Sequence, residues 1–276
     1  MTADSIQWLV ITDLDGTFLN HHDYSYQSCL PTLKQLATLN IPVIFNTSKT
    51  YKETIELQQQ LNIIAPFIVE NGSAVFFPIS LFPDKPMEKA IQRDQYWQVI
   101  TGETIKSIHS KVADILKQTP GLIQLSSITP EEACRLTGLT NAQAINAIER
   151  EFSEPLMMKN GDTFDQSFIR SINDTGLTTL QGGRFLHVLG RCDKGKAIET
   201  LVSCYNSPVK TIVLGDSAND AAMLLQADIP VVVKSPGNSS LLPLLSSPYI
   251  TTSTAPDGWS EGIHHALHKI QKEHAS

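Results

Sequence analysis

Two aspartates one residue apart, Asp13 and Asp15, are the side chains of this chain best placed to do chemistry. They follow a short β-branched run that ends at Thr12, which predicts a buried strand. In open α/β sheets, ligands and reactive groups collect at the carboxyl ends of strands. Two carboxylates this close repel each other unless a cation or a proton lies between them, and Mg²⁺ prefers oxygen ligands. Because Asp can also be a covalent nucleophile, the pair predicts attack on a phosphorus atom beside a divalent metal ion.

A second acidic segment follows the predicted strand Thr211–Leu214. Its Asp216 could complete an all-oxygen Mg²⁺ site with the Asp13 carboxylate and the Asp15 backbone carbonyl. Asp220 lies one helical turn later, and two interpretations stay open for it. It either orients water and the other carboxylates or supports the start of a helix.

Three further polar residues follow predicted strands or precede predicted helices. The Thr47 hydroxyl could hold a phosphate oxygen at a helix N-terminus, or it could cap that helix. Lys49 could add charge there or be solvated. Lys194 could neutralise both the nucleophile and a phosphate, with Lys196 as its solvated neighbour. The sequence has no Gly-x-x-x-x-Gly-Lys-Ser/Thr pattern, which argues against a P-loop nucleotide hydrolase.

Length and composition limit the class of protein. The chain has 276 residues, 41% hydrophobic and 18% charged, which is typical of a soluble globular protein. Its net charge of −7 argues against nucleic-acid and membrane partners and leaves a small-molecule substrate. The four cysteines are scattered, and we find neither a signal peptide nor an apolar run long enough to span a membrane. We therefore expect a cytoplasmic protein that is a monomer or a small homo-oligomer.

The order of predicted elements indicates an α/β fold with a parallel sheet, because strands and helices alternate at both ends of the chain. The pattern changes in the middle, which predicts an inserted α+β cap at 84–189 within a core formed by 1–83 and 190–276. A single continuous domain with an irregular centre is the alternative. The predicted helices are 29–39, 51–61, 100–117, 140–151 and 194–204, and the predicted strands are 41–46, 67–69, 211–214, 229–233 and 249–251, with short strand-like segments at 156–159, 168–172 and 183–189.

These motifs occur in the order of the four motifs of the haloacid dehalogenase (HAD) superfamily, and the chain resembles that superfamily over nearly its whole length. The motifs are Asp-Leu-Asp-Gly-Thr from Asp13, Thr47 after a strand, Lys194, and Gly-Asp-Ser-Ala-Asn-Asp around Asp216. The Glu70-Asn71-Gly72 turn and the place of the insert resemble the Cof-type subgroup, whose cap follows the third strand. The resemblance implies a Rossmann-like core with a C2-type cap that determines substrate specificity.

The same resemblance implies roles for these residues. Asp13 would be the nucleophile that forms an aspartyl-phosphate, and Asp15 the general acid that then activates water. Thr47 and Lys194 would bind the phosphoryl group. The implied Mg²⁺ ligands are Asp13, Asp15 and Asp216, with Asn219 and Asp220 in support.

Three segments resemble the mannosyl-3-phosphoglycerate phosphatase family: 46–50, 150–155 and 182–187. Arg184 could pair with a glycerate carboxylate or form a surface ion pair. His187 and Glu154 could bond sugar hydroxyls, although a satisfied ring is equally expected for His187. The expected substrate-binding residues are Ser48, Lys49, Glu70, Asn71, Gly183, Arg184 and His187.

The resemblance predicts a Mg²⁺-dependent phosphatase that converts mannosyl-3-phosphoglycerate to mannosylglycerate, a compatible solute. The alternatives are a glucosyl-3-phosphoglycerate or other sugar-phosphate phosphatase, a phosphomutase, and a catalytically silent phosphosugar-binding protein. The histidines His264, His265 and His268 are expected on a solvated helix and not at a metal site.

Overall fold

The computed structural model describes residues 6–182 and 184–274. Its strands are β1 Gln7–Thr12, β2 Val43–Asn46, β3 Phe67–Val69, β4 Ala74–Pro78, β5 Ile91–Arg93, β6 Tyr96–Ile100, β7 Leu122–Gln124, β8 Ser153–Met158, β9 Thr178–Gly182, β10 Phe185–Leu189, β11 Val209–Gly215, β12 Ile229–Lys234 and β13 Tyr249–Thr254. Its α-helices are α1 Leu30–Thr38, α2 Tyr51–Gln60, α3 Ile105–Lys117, α4 Pro130–Thr137, α5 Asn141–Ile148, α6 Gln166–Asn173, α7 Lys194–Val202, α8 Ala221–Leu224, α9 Asn238–Leu241 and α10 Asp257–His274.

Within the described residues the main sheet has nine strands in the order β13-β12-β11-β1-β2-β3-β4-β6-β5. The six strands from β13 to β3 are parallel, and β4, β6 and β5 pair antiparallel at one edge. β1 lies between β11 and β2, so its carboxyl end is next to theirs. The predicted α/β class with a mostly parallel sheet is confirmed.

The central strand β1 is apolar on both faces because helices cover both faces of the sheet. Val10 faces one layer, which contains Trp259 of α10. Leu9 and Ile11 face the other layer, which contains Leu201 of α7. All five side chains are fully buried. The hydrogen-bonded ladder therefore fixes the position of Asp13, which follows Thr12 at the carboxyl end of β1.

A second sheet lies in the inserted part of the chain, with strands in the order β7-β8-β10-β9 and antiparallel pairing throughout. Helices α3 and α6 cover it, with Ile108, Val112 and Ile172 buried against Leu156 and Val188. This is the small α+β unit that the sequence predicts.

One of its predicted strand-like segments, 168–172, is wrong, because these residues belong to helix α6. The Asp165 carboxylate caps this helix by accepting from the Phe168 amide at 2.8 Å. The rings of Phe164 and Phe168 then stack at 4.8 Å, one turn apart. A cap residue followed by apolar residues at helical spacing produces a helix here, although the apolar run is short enough for a strand.

The helix predicted from residue 100 begins later, because Ile100 ends β6 and pairs with Ala74. Helix α3 starts after Thr104, whose hydroxyl accepts from the Ser107 amide. The hairpin of β5 and β6, which the sequence places in the insert, extends the main sheet instead. We therefore propose that the inserted unit spans about 101–189, with the core on either side of it.

The two connections between these parts touch each other. A Cβ added to Gly190 would lie 2.9 Å from the Gly102 Cα and 2.6 Å from the Glu103 amide nitrogen. Real Cβ atoms do not approach backbone this closely, so glycine at 190 permits the crossing. The insert thus leaves and rejoins the main sheet at one point.

In the part of the chain that the structure describes, no helix combines the length and apolar character that crossing a bilayer requires.

Candidate active site

The ends of β1, β2 and β11 bring together residues that are distant in sequence. Asp13 follows β1, Thr47 follows β2 and Asp216 follows β11, while Lys194 begins helix α7. The Lys194 ammonium donates to Asp13 Oδ1 at 2.5 Å and to Asp220 Oδ1 at 2.7 Å. All five residues are buried. The arrangement is a charged centre removed from bulk water at the carboxyl edge of the sheet.

Asp220 uses both of its carboxylate oxygens within this centre. Oδ1 accepts from Lys194, and Oδ2 accepts from the amides of Asp216 and Ser217 at 3.0 and 3.1 Å. Asp220 therefore supports the start of a helical turn, which is one of the two interpretations offered by the sequence, and the orienting of water and the other carboxylates stays a prediction. Asn219, beside it, accepts from the Ser217 hydroxyl at 2.5 Å.

The carboxylates fit the requirements of a hard divalent cation. Asp13, Asp216 and Asp220 each place a carboxylate oxygen within 4.8 Å of the other two. Because the Asp220 oxygens already have partners, Asp13 and Asp216 are the better candidates for direct ligands. A Cβ on Gly16 would lie 2.7 Å from Asp216 Oδ2, so the backbone beside Asp15 passes directly against this carboxylate. That approach fits a ligand set that includes the Asp15 carbonyl.

Burial and neighbouring carboxylates raise the pKa values of Asp13 and Asp216, the two candidate metal ligands. Burial raises the pKa of Asp13 well above its ordinary value, although the Lys194 ammonium opposes the rise. Burial and then the Asp220 charge raise the pKa of Asp216 to about 7. Burial alone would lower the pKa of Lys194, but the charges of Asp13 and Asp220 outweigh it and raise that pKa. A cation beside the carboxylates would relieve the same repulsion.

Thr47 lies in a loop that backbone hydrogen bonds hold closely. Its amide donates to the Ile68 carbonyl at 3.1 Å, and its carbonyl accepts from the Asn71 amide at 2.9 Å. The Thr47 hydroxyl accepts from the Lys49 amide at 3.1 Å. Next to it, Asn46 donates to the Lys194 carbonyl at 3.0 Å and so links the loop to the start of α7.

The Asn71 side chain is almost fully buried, and neither of its polar atoms has a hydrogen-bond partner among the residues described. A buried amide without partners is costly unless a ligand or water completes its bonds. Its backbone lies in the left-handed region, with φ of 59°. These observations favour the predicted substrate-binding role of Asn71.

The Asp15 carboxylate points to a different set of partners from those of Asp13. The Lys49 ammonium lies 3.0 Å from Asp15 Oδ1 and 3.7 Å from Glu53 Oε1. The same ammonium lies 4.9 Å from the centre of the Tyr24 ring. Lys49 is therefore not a solvated lysine. Tyr24 has no counterpart in the sequence prediction, because neither its type nor its spacing gives a signal.

Glu70 is a correction to the predicted substrate-binding set. Its carboxylate is fully buried and accepts from the amides of Glu151 and Phe152 at 2.9 and 3.2 Å and from the Ser153 hydroxyl at 2.6 Å. The Arg150 guanidinium lies 3.4 Å from it. With these donors around it, the carboxylate has its hydrogen bonds within the protein and holds the insert on the core.

Arg150 completes this contact between the insert and the core. Like Tyr24, it receives no role from the sequence motifs. Its guanidinium donates to the Ser48 carbonyl at 2.7 Å and to the Ser153 hydroxyl at 3.0 Å. Ser48, predicted to bind substrate, thus contributes its carbonyl to the core–insert contact. Through the hydrogen bond from Arg150 to Ser48, the insert supports the loop that contains Thr47.

The substrate-binding residues predicted in the insert have separate environments. Arg184 is exposed and donates to the Leu136 carbonyl within the insert. His187 is buried in β10, and burial followed by the Arg150 charge lowers its pKa to about 3. Gly183 lies outside the described residues. Glu154 is fully buried and bonds His109 at 2.5 Å as well as Ser126, so its carboxylate is occupied within the insert.

A cavity of about 590 Å³ lies where the core meets the insert. It has the size of a site for a small ligand. Asn71, Lys194 and Asn219 line it from the core, and Asn173 and Thr179 from the insert. Of the five residues of the charged centre, Lys194 lines this space, which both parts of the chain form.

Comparisons with known proteins identify the family of the chain. Residues 10–263 match the family described as haloacid dehalogenase-like hydrolase. The glucosyl-3-phosphoglycerate/mannosyl-3-phosphoglycerate phosphatase of Persephonella marina is 34% identical over 96% of this chain and 98% of its own length. The protein of the same name from Methanococcoides burtonii is 34% identical over 92% of this chain and 95% of its own length.

Solved structures share the fold. The sucrose-phosphatase of Synechocystis, solved in complex with sucrose and phosphate, superposes with a TM-score of 0.64. The match covers 97% of this chain and 99% of that one, at 15% identity. At this identity the similarity concerns the architecture alone.

Proposed function

The chain belongs to the haloacid dehalogenase-like hydrolase family and is a phosphoric monoester hydrolase, and on this basis we propose that it removes phosphate from mannosyl-3-phosphoglycerate and its glucosyl analogue. The resemblance stated from the sequence motifs is thereby confirmed at the level of the family. The names of these two relatives include both sugars, which supports proposing both as substrates.

The observation that carries the chemistry is the contact of Lys194 with Asp13. The ammonium fixes one oxygen of a buried carboxylate at 2.5 Å and also neutralises charge beside it. Charge neutralisation and positioning supply most of the catalysis in phosphoryl transfer. A carboxylate held this way supports the role of nucleophile, because its orientation is set before substrate arrives.

The proposed reaction has two steps on Asp13. A carboxylate oxygen of Asp13 forms a bond to phosphorus while the bond from phosphorus to the leaving oxygen breaks, and Asp15 gives its proton to that oxygen. Asp15 then takes a proton from water, whose oxygen bonds to phosphorus as the bond from phosphorus to Asp13 breaks. Inorganic phosphate leaves and both aspartates return to their first state. Thr47 and Lys194 bind the phosphoryl oxygens.

We propose Mg²⁺ as the cofactor, held by Asp13, Asp216 and the Asp15 carbonyl. The ion would neutralise charge on the transferring phosphoryl group. The oxygen-only donor set and the raised pKa values of Asp13 and Asp216 support this assignment. Asp220 accepts from the Asp216 amide and Asn219 accepts from the neighbouring Ser217 hydroxyl, so both would hold the loop of Asp216 in place.

The first experiment is phosphate release in Mg²⁺ from mannosyl-3-phosphoglycerate, its glucosyl analogue, 3-phosphoglycerate, sucrose phosphate and mannose phosphates. We expect the two glycosyl-3-phosphoglycerates to be turned over fastest. Equal weak turnover of all would contradict the substrate proposal and leave the phosphatase chemistry. A product that keeps its phosphate would indicate a mutase.

Replacing Asp13 by Asn separates catalysis from binding. We expect the variant to bind substrate and release no phosphate, since an amide is a poor nucleophile. Unchanged activity would contradict the nucleophile assignment. Two statements stay predictions. One is that the product mannosylglycerate is a compatible solute, and the other is that the enzyme is cytoplasmic and a monomer or small homo-oligomer.

A further inference from the structure

Lys49 places a cation beside Asp15, the residue proposed to protonate the leaving oxygen. Its ammonium is within 3.0 Å of Asp15 and 3.7 Å of Glu53, and its side chain is only 15% exposed. The Glu53 carboxylate is itself fixed, because it accepts from the Thr50 amide at 2.9 Å in the cap of helix α2. The cation therefore has a rigid support on one side and Asp15 on the other.

Asp15 is the more exposed member of its ion pair with Lys49. Its side chain is 34% exposed, and it does not belong to the set of carboxylates at the end of β11. The proposed function, on which this inference rests, requires Asp15 to be within hydrogen-bond reach of the leaving oxygen. The Lys49 ammonium then lies one hydrogen bond beyond Asp15, beside the leaving group.

The covalent structure of the proposed substrate places a negative charge at this distance. In a 3-phosphoglycerate the leaving oxygen is on C3, the glycosyl group occupies the oxygen of C2, and the carboxylate is C1. The carboxylate is thus two carbons from the atom that bears the leaving oxygen. A leaving oxygen in contact with Asp15 brings this carboxylate within reach of the ammonium that Asp15 also contacts.

We propose that Lys49 binds the glycerate carboxylate and determines the preference for phosphoglycerates over sugar phosphates that have no carboxylate. As Asp15 turns toward the leaving oxygen, the substrate carboxylate takes its place beside the ammonium, and Glu53 remains the second partner. Arg184, for which the sequence suggested this role, instead donates to the Leu136 carbonyl from an exposed position. Tyr24 closes the other side of the ammonium with its ring.

The test compares two substrates that differ only in the charge. One is mannosyl-3-phosphoglycerate, and the other is the same glycoside with its carboxylate reduced to a primary alcohol. For the wild-type protein we expect kcat/KM to be about 10- to 100-fold higher for mannosyl-3-phosphoglycerate than for the alcohol, because one hydrogen bond between charged groups is lost with the alcohol. Lys49→Met is expected to reduce this ratio to about one, and Lys49→Arg to retain most of it.

The ratio separates substrate recognition from positioning of Asp15. If Lys49 only held Asp15, Lys49→Met would slow both substrates equally and leave the ratio unchanged, which would overturn the inference. Loss of the ratio in Arg184→Met but not in Lys49→Met would assign the carboxylate to Arg184 and overturn it too. A wild-type protein that hydrolyses neither glycoside would instead refute the proposed function.

Lys52→Met is the matched control. Lys52 lies in the first turn of α2, three residues after Lys49, and is about half exposed in an ion pair with Glu149. Its removal should leave both rates and their ratio unchanged. Thermal unfolding of each variant shows that the comparison is made on folded protein.

Discussion

The Lys194 ammonium lies 2.5 Å from Asp13 Oδ1, and both side chains are buried where β1 ends and α7 begins. The two residues are 181 positions apart in sequence. The contact joins the two parts of the core that flank the insert. It also gives the site a permanent positive charge, so the nucleophile is never a lone buried anion.

Lys194→Met should lower kcat by about 10²- to 10³-fold, because the variant loses a charge that stabilises the transferring phosphoryl group. Steady-state phosphate release measures the loss. Lys34→Met is the control, since Lys34 is exposed on helix α1 and does not line the cavity. Equal losses in the two variants would mean that Lys194 has no special place in catalysis.

Asp216→Asn should raise the Mg²⁺ concentration needed for half-maximal activity by about tenfold or more, because a carboxylate ligand is lost. The same titration followed by thermal unfolding gives a second measurement, since a bound ion stabilises the folded state. Asp162→Asn, in an exposed loop, should change neither curve. Full activity in excess EDTA would contradict the Mg²⁺ assignment.

Glu70→Gln should destabilise the protein by about 3–5 kcal/mol, because it removes a buried charge from Arg150 and from the amides of the insert. Urea unfolding measures this free energy, and a double-mutant cycle with Arg150→Met isolates the interaction of the pair. Glu149→Gln is the comparison, since its ion pair with Lys52 is exposed and worth less than about 1 kcal/mol. If the two glutamate variants lose equal stability, the docking role of Glu70 is wrong.

His187 should make the protein sensitive to acid. Its pKa is about 3 in the folded state, because burial and then Arg150 disfavour the charged ring, against about 6.5 when unfolded. Below pH 6.5 the unfolded chain therefore binds more protons, and the free energy of unfolding falls by up to about 1.4 kcal/mol per pH unit until pH 3. Above pH 6.5 this contribution is fully present.

Urea unfolding at several pH values between 7.5 and 4.5 tests this directly. His187→Asn should lose part of the pH dependence, and His22→Asn, in an exposed loop, should keep all of it. A variant at 187 with the wild-type slope would show that other groups cause the acid sensitivity.

The parallel part of the sheet could be predicted from sequence because its strands are apolar runs that end in polar motifs. Asp13 and Asp216 were placed correctly at the ends of β1 and β11, since chain order and strand ends are enough for this. Ile100 could not be assigned to strand β6 from the sequence. The amphipathic helix α3 begins five residues later, and its apolar pattern extends back to the end of β6.

The contacts between core and insert could not be predicted. Glu70 and Ser153 are 83 residues apart, and a buried acceptor of amide hydrogen bonds has the same residue type as a substrate-binding glutamate. Tyr24 has a φ of 58°, a conformation that its residue type does not indicate. Both depend on tertiary packing, which a single sequence does not specify.

The close crossing of Gly102 and Gly190 makes the insert an exchangeable part. Because the two ends of the insert meet at Gly102 and Gly190, we expect that a foreign segment whose own ends also meet can be grafted between them. The strands that carry Asp13 and Asp216 would keep their registers through such a graft. The new segment must also bring donors to Glu70, which otherwise becomes a buried anion without partners.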